Sequence, residues 1–190
     1  MIKVYIKRIC QLTPDEESKI ISSLSDRARA RLAKKTNEEL RRASLCALSL
    51  LTDKQRAALD YSAEGRPSFI GLNTDVSISH SKTYVAVAIS DSFRERVGLD
   101  VEDASENSRA SHRFLTENEI HAFEAGTPYL EIWTKKEALF KFLKSDTAPF
   151  VQLDSARPDL YGASFTTYAL DGATLTVCTL ANATIDIIEK

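Results

Sequence analysis

The chain has 190 residues, 43% of them hydrophobic and 27% charged, with six Gly and five Pro, a composition ordinary for a globular protein of one domain or two small lobes. Its net charge of −2 excludes nucleic-acid binding driven by overall charge, so any anion site has to be local. No apolar run approaches the roughly 20 residues of a membrane span, and Cys10, Cys46 and Cys178 are odd in number and widely spaced. They read as reduced thiols of a cytoplasmic protein and give no support to a metal cluster.

Residues 2–9 alternate as a strand, with Ile2, Val4 and Ile6 on one face; this start does not read as a signal peptide. Thr13-Pro14-Asp15-Glu16 has a cap, a proline at the first helical position and a capping-box Glu, so a helix to about Leu24 is expected. Asp26 to Lys35 is a basic helical segment carrying Arg27, Arg29, Arg31, Lys34 and Lys35; the plain reading of these charges is a solvated face. Thr36-Asn-Glu-Glu39 is a second capping box and predicts a long helix to about Leu59, with Leu40, Ala47, Leu51 and Ala58 at helical spacing and Arg41 and Arg42 in its first turns.

Gly65 and Pro67 mark a turn. Val76 to Ser81 alternates, with Val76 and Ile78 inward and Ser77, Ser79 and Ser81 outward; His80 falls on the apolar parity. Tyr84 to Ile89 is nearly continuous and apolar, the pattern of a central strand. After a turn at Asp91-Ser92, Val97-Gly-Leu-Asp-Val-Glu102 alternates again.

Residues 103–112 read as a polar loop. Thr116-Glu-Asn-Glu119 is a third capping box, for a helix to about Glu124 that Gly126 ends. Thr127-Pro128 begins a helix through at least Leu143, and Lys144–Thr147 is expected as a mobile loop. Tyr161–Leu170 and Ala173–Leu180 flank Asp171-Gly172, a hairpin signal, and Thr184–Ile188 is a last strand.

Two stretches carry chemistry. In Val97–Glu102, Leu99 and Val101 point into a core while Asp100 and Glu102 share the opposite face. Two carboxylates so close repel unless a cation sits between them, and Mg²⁺ takes one or two carboxylates plus substrate phosphates; the plain alternative is a strand edge with two solvated acids. In Trp133-Thr-Lys-Lys-Glu-Ala-Leu-Phe-Lys141, Trp133, Glu137 and Lys141 fall at i, i+4 and i+8 and line one helix stripe. Such a stripe delivers a carboxylate, a cation and an aromatic wall together; alone it also reads as a surface Glu–Lys pair beside a core Trp.

Gly65-Arg-Pro67, Ser77-Ile-Ser-His-Ser81, Val97–Glu102, Arg113-Phe-Leu-Thr-Glu-Asn-Glu119 and Trp133–Lys141, in this order and spacing, resemble 4′-phosphopantetheinyl transferases of the surfactin-synthetase-activating type. The resemblance runs from about Ser25 to Lys141. It implies an α+β fold of two pseudo-symmetric lobes, 1–96 and 97–190, with the active site in the cleft between them. It also implies Mg²⁺-dependent transfer of phosphopantetheine from coenzyme A to a serine of an acyl or peptidyl carrier protein, by a cytoplasmic monomer that needs no membrane or nucleic acid.

By the same resemblance, Asp100, Glu102 and Glu137 are the Mg²⁺ ligands and Lys141 is the cation on the pyrophosphate. His80, Arg66 and Arg42 bind the nucleotide phosphates. Lys136 matches a coenzyme A contact, although it lies about 100° round the helix from Glu137. Glu119 matches the general base for the carrier serine, with Glu137 as rival base, and Glu119 is also the capping-box residue of its own helix. The glycines usual after the helix lysine are missing from Phe142-Leu-Lys-Ser-Asp146, a departure that bears on carrier choice. The alternative is a catalytically degenerate relative that binds coenzyme A or a nucleotide; an Mg²⁺-dependent nucleotide hydrolase lacks a motif to position water.

Overall fold

A computed structural model describes residues 1–104, 112–143 and 149–190. The expected loop at Lys144–Thr147 and most of the polar stretch 103–112 lie outside the described residues. Strand β1 (Ile2–Arg8) buries every second side chain, as its alternation predicts. Helix α1 (Pro14–Ser23) starts at a complete capping box, in which Thr13 accepts from the Glu16 amide and Glu16 accepts from the Thr13 amide. Ser25 caps α2 (Asp26–Ala33).

The long helix expected from Thr36 to Leu59 is instead two helices. Asn37, not Thr36, caps α3 (Glu38–Ser49), and Leu40 is 46% exposed. A second capping box, Thr52 with Gln55, starts α4 (Asp53–Ala58). The break leaves the last carbonyls of α3 without helical partners. The buried Arg56 guanidinium donates to the Leu48 and Leu51 carbonyls, to Ser23 Oγ and to Asp53, so that one side chain closes α3 and ties it to α1 and α4.

Strands β2 (Leu59–Tyr61) and β3 (Pro67–Phe69) form a small hairpin whose turn holds Gly65 at φ +89°. Strands β4 (Val76–His80) and β5 (Tyr84–Ser90) follow, with β5 buried at every residue. Strand β6 (Val97–Asp103) leads toward α5 (Glu117–Glu124) and α6 (Tyr129–Leu143), and α6 reaches Leu143 as expected. The chain ends in β7 (Ala163–Leu170), β8 (Ala173–Leu180) and β9 (Ile185–Glu189).

Two sheets result. One has the order β4-β5-β1-β9, and its β9 runs parallel to β1; the other has the order β6-β8-β7 and is antiparallel throughout. Val76, Val85, Val87 and Ile89 pack against Leu24, Leu45 and Leu48 of the helical layer. Ile2, Val4, Ala86 and Ala88, from the other face of the first sheet, pack against Val97, Leu99, Val101 and Val177 of the second. Helix α6 covers the outer face of the second sheet through Ala138, Leu139 and Phe142. The layers therefore run helices, sheet, sheet, helix, a mixed α+β protein. Among the described residues no helix is long and apolar enough to cross a membrane.

The edge of β6 meets the first sheet in an unusual way. Its odd-numbered amides face away from β8 and would be orphaned in a buried seam. The Val97 amide donates to Asp75 Oδ2 at 3.1 Å, the Leu99 amide to Ser77 Oγ at 3.1 Å and the Val101 amide to Ser79 Oγ at 3.4 Å. Ser81 Oγ continues the row by donating to Asp103 Oδ1 at 2.9 Å. The serines do leave the helix-facing side of β4, as their alternation predicts, but they are buried under β6 and not solvated. Across the ladder Ser77 pairs with Ala88 and Ser79 with Ala86, small residues that let β6 come close.

Gly98 sets the approach from the other side. A Cβ there would overlap the Ala138 carbonyl and crowd the Phe142 backbone and Cβ. These are backbone obstacles that cannot rotate away, so α6 lies on β6 only because residue 98 has no side chain. Gly98→Ala is expected to cost about 1–3 kcal/mol or more through overpacking. Urea unfolding measures this, and a loss under about 0.5 kcal/mol would show that α6 can lift off cheaply.

Candidate functional site

Close seating of α6 on β6 brings Lys141 to Asp100. Lys141 Nζ lies 2.7 Å from Asp100 Oδ1 and 2.9 Å from Ser79 Oγ, while Ser79 Oγ donates to Asp100 Oδ1 at 2.8 Å. Ser79 thus uses its one proton on Asp100 and its lone pairs on Lys141 and the Val101 amide, its whole capacity. Asp100 is 4% exposed, so it is not the solvated strand carboxylate that alternation implied. Its second oxygen, Oδ2, is buried with no hydrogen-bond partner, which is costly for an ionised group.

Glu137 lies one helical turn before Lys141, on the same stripe. Burial pushes its carboxyl above the ordinary value and Asp100 pushes it further, against the pull of Lys141. His80 is pushed down, first by burial, then by the Lys35 ammonium, with Lys141 adding to the same effect. Burial and the two ammonium groups thus favour the neutral imidazole, which can donate one hydrogen bond and accept another. Lys35 itself is pushed down by burial and by Arg31.

Three adjoining hollows surround this group. One is lined by Arg31, Lys35, Tyr61, Gly65, Pro67, Ile78 and His80, and the Arg31 guanidinium sits 4.6 Å from the Tyr61 ring centroid. The second shares Gly65, Pro67 and Ile78 with the first and adds Arg66, Phe140, Glu137 and Lys141. The third meets the first at His80 and adds Asn37, Arg42, Lys82 and Glu102.

Of the residues singled out in the sequence, Asp100, Glu137, Lys141 and His80 come together, Arg66 and Arg42 line adjoining hollows, and Glu102 lines Arg42's hollow. Arg66 is also engaged with Asp75, at 3.2 Å. Among the described residues no three His, Cys, Asp or Glu side chains cluster closely enough to hold a metal ion. The trio Asp100, Glu102 and Glu137 is thus not assembled as a closed cage. The donors nevertheless suit Mg²⁺, which takes hard oxygen ligands and needs only one or two carboxylates when phosphates complete its shell. The unpartnered, buried Asp100 Oδ2 and the Glu137 carboxyl, near enough to feel its charge, are the two groups such a shell would use.

Lys136 and Glu119 lie elsewhere. Both are 0% exposed and paired at 2.7 Å. Glu119 accepts from the Thr116 amide and Lys136 on one oxygen, and from the Ser155 amide and hydroxyl on the other. Lys136 also donates to the Leu153 carbonyl. Lys136 lines none of the three hollows, and Glu119 lines a separate one with Lys135 and Ser155. With four donors on it Glu119 has no lone pair left for a serine proton, so the capping-box role is the one this geometry supports; the 100° offset of Lys136 from Glu137 pointed the same way.

The sequence reading passed over Ser79, Gly98, Lys35 and Arg31. Ser79 and Gly98 stood inside quoted motifs, but their partners are distant in the chain. Arg31 lies in the last turn of α2 and Lys35 just beyond that helix, four residues on, a visible spacing that a solvated-face reading discounts.

Two outcomes are expected. Glu119→Ala leaves Lys136 buried without its carboxylate, a loss of about 3–5 kcal/mol; thermal and urea unfolding would read it, and unchanged stability would mean the pair is not formed. The raised Glu137 carboxyl means the folded chain keeps a proton that the unfolded chain loses as pH climbs above the ordinary glutamate value. Folding stability contributed at Glu137 is therefore full at low pH and falls as pH rises through that window. Glu137→Gln should remove this fall, so the variant gains on the wild type as pH goes from 4 to 8; parallel urea midpoints at each pH would show the lines converging or diverging.

The comparisons bear on this second sheet and its helices. No curated protein matches the chain. Residues 96–180, less than half of the chain, match the family model described as the 4′-phosphopantetheinyl transferase superfamily; that span includes Asp100, Glu102, Glu119, Glu137 and Lys141 and leaves out Arg42, Arg66 and His80.

Proposed function

We propose that the chain transfers the 4′-phosphopantetheine group of coenzyme A to a serine of an acyl or peptidyl carrier protein and releases adenosine 3′,5′-bisphosphate. The observation that carries this is the Asp100–Ser79–Lys141 cluster with Glu137 beside it, of which Asp100, Glu137 and Lys141 lie inside the segment that matches the transferase superfamily.

In this reading the active site is the tract of hollows along the first sheet and its helices, closed on one side by Glu137, Phe140 and Lys141 of α6 and by Glu102 of β6. Asp100 and Glu137 would hold Mg²⁺, with Glu102 two residues along the same strand face, and the ion would supply charge neutralisation on the pyrophosphate. Lys141 binds a pyrophosphate oxygen. Arg42 takes the 3′-phosphate, Arg66 and the neutral His80 add hydrogen bonds to the phosphates, and Lys35 and Arg31 extend the cationic lining. Charge-assisted bonds to phosphate are the strong class of hydrogen bond. They make a local anion site on a chain whose net charge is −2.

The carrier serine oxygen attacks the phosphorus on the pantetheine side, the bond to the bridging oxygen breaks, and adenosine 3′,5′-bisphosphate leaves with the electron pair. Positioning and electrostatics supply most of the rate in such transfers. The serine proton needs an acceptor that faces the hollow. Glu137 does, and a carboxylate has a second oxygen for the proton when the first holds an ion.

Incubation with coenzyme A, Mg²⁺ and a panel of apo carrier proteins tests the proposal. At least one carrier should gain the mass of phosphopantetheine. Asp100→Asn keeps the side-chain shape and should slow transfer at least about a hundredfold. Coenzyme A binding without mass gain on any carrier would favour a binding protein. Dephospho-coenzyme A should bind about tenfold or more weakly than coenzyme A, and Arg42→Ala should narrow the gap; equal affinities in the wild type would remove the 3′-phosphate site.

A further inference from the structure

The cluster that would hold the metal already contains a cation. Lys141 Nζ is 2.7 Å from Asp100 Oδ1, is fixed there by a second bond to Ser79, and its side chain is only 27% exposed. The oxygen of Asp100 left without a partner is the buried Oδ2, on the same carboxylate that the ammonium shares, and it is the one a metal ion would have to take. A divalent ion at Oδ2 and an ammonium at Oδ1 are like charges on one small group, in a site that excludes most water. Repulsion between them is far stronger there than in bulk solvent. Lys35 adds to the positive field, since it acts on the same His80 that Lys141 does.

From this juxtaposition we infer that Lys141 is an antagonist of the bare metal ion and makes metal binding conditional on the phosphate co-substrate. This rests on the proposed function and deepens it. A pyrophosphate offers Lys141 a second anion to bind, which draws the ammonium away from Asp100 or neutralises it in place. The same pyrophosphate donates oxygens to the metal. Both effects favour the ion only when coenzyme A is present. By linkage the ion tightens coenzyme A by the same factor. Lys141 is thus a positioning and gating residue for the metal as well as a phosphate contact. Free Mg²⁺ alone does not complete the site.

The test reads binding rather than turnover. Mn²⁺ replaces Mg²⁺ as a paramagnetic probe, and free Mn²⁺ is counted by its electron paramagnetic resonance signal. In the wild type, coenzyme A should tighten Mn²⁺ by about 5–150-fold, the usual range of coupling between two sites. In Lys141→Gln, Mn²⁺ alone should bind about tenfold more tightly than in the wild type, and the gain from coenzyme A should shrink. Lys141→Met is the second variant, and circular dichroism confirms that each is folded; the wild-type coupling is measured without either. If Mn²⁺ alone binds folded Lys141→Gln no better than wild type while Asp100→Asn abolishes binding, the antagonism is overturned and the metal site stands. If Asp100→Asn binds Mn²⁺ as the wild type does, the metal site itself is wrong and both readings fall.

Discussion

The structure depends on a seam in which side chains of one strand take the place of a neighbouring backbone. The free edge of β6 is buried, so each of its outward amides needs an acceptor or costs about 1–3 kcal/mol. Asp75, Ser77 and Ser79 provide those acceptors from every second position before and along β4. A backbone ladder would have merged the two sheets. Short hydroxyl and carboxylate side chains join them instead, one standing on the other, and leave apolar residues such as Val4, Ala88, Leu99 and Val177 to fill the space behind.

The same seam builds the chemistry. Ser79 satisfies the Val101 amide and in doing so stands where it reaches Asp100 and Lys141. Gly98, two residues before Asp100 and on its face, lets α6 descend until Lys141 and Glu137 arrive. A small residue on β6, a hydroxyl on β4 and a four-residue spacing on α6 converge on one carboxylate. Site and fold therefore share their contacts, and most substitutions that loosen the seam should affect both.

The local signals were legible in the chain. Capping boxes at Thr13 and Thr116 and the alternation of β1 are fixed by neighbours a few residues apart, and they formed as the sequence implied. Asp100, Glu137 and Lys141 were legible because their spacing puts them on common faces. What crosses the seam was not. Alternation says that Ser77 and Ser79 leave the helix-facing side of β4; it cannot say whether water or another strand waits there. Gly98 likewise reads as a weak strand residue until α6 is laid against it. The break before Thr52 was hidden by apolar residues that keep helical spacing across it, although Thr52 and Gln55 carried the signal for a new start. Glu119 carried both of its readings in one motif, and only the burial of Lys136 against it separates them.

Site-resolved amide exchange in the intact chain tests the seam most directly. If serine side chains close the edge of β6, the Leu99 and Val101 amides exchange as slowly as the Gly98 and Asp100 amides that face β8, and Ser77→Ala speeds Leu99 while Asp100 stays protected. Rapid exchange of Leu99 and Val101 in the wild type, with Gly98 and Asp100 still slow, would mean that the edge of β6 is open and that the two sheets are not joined in this way.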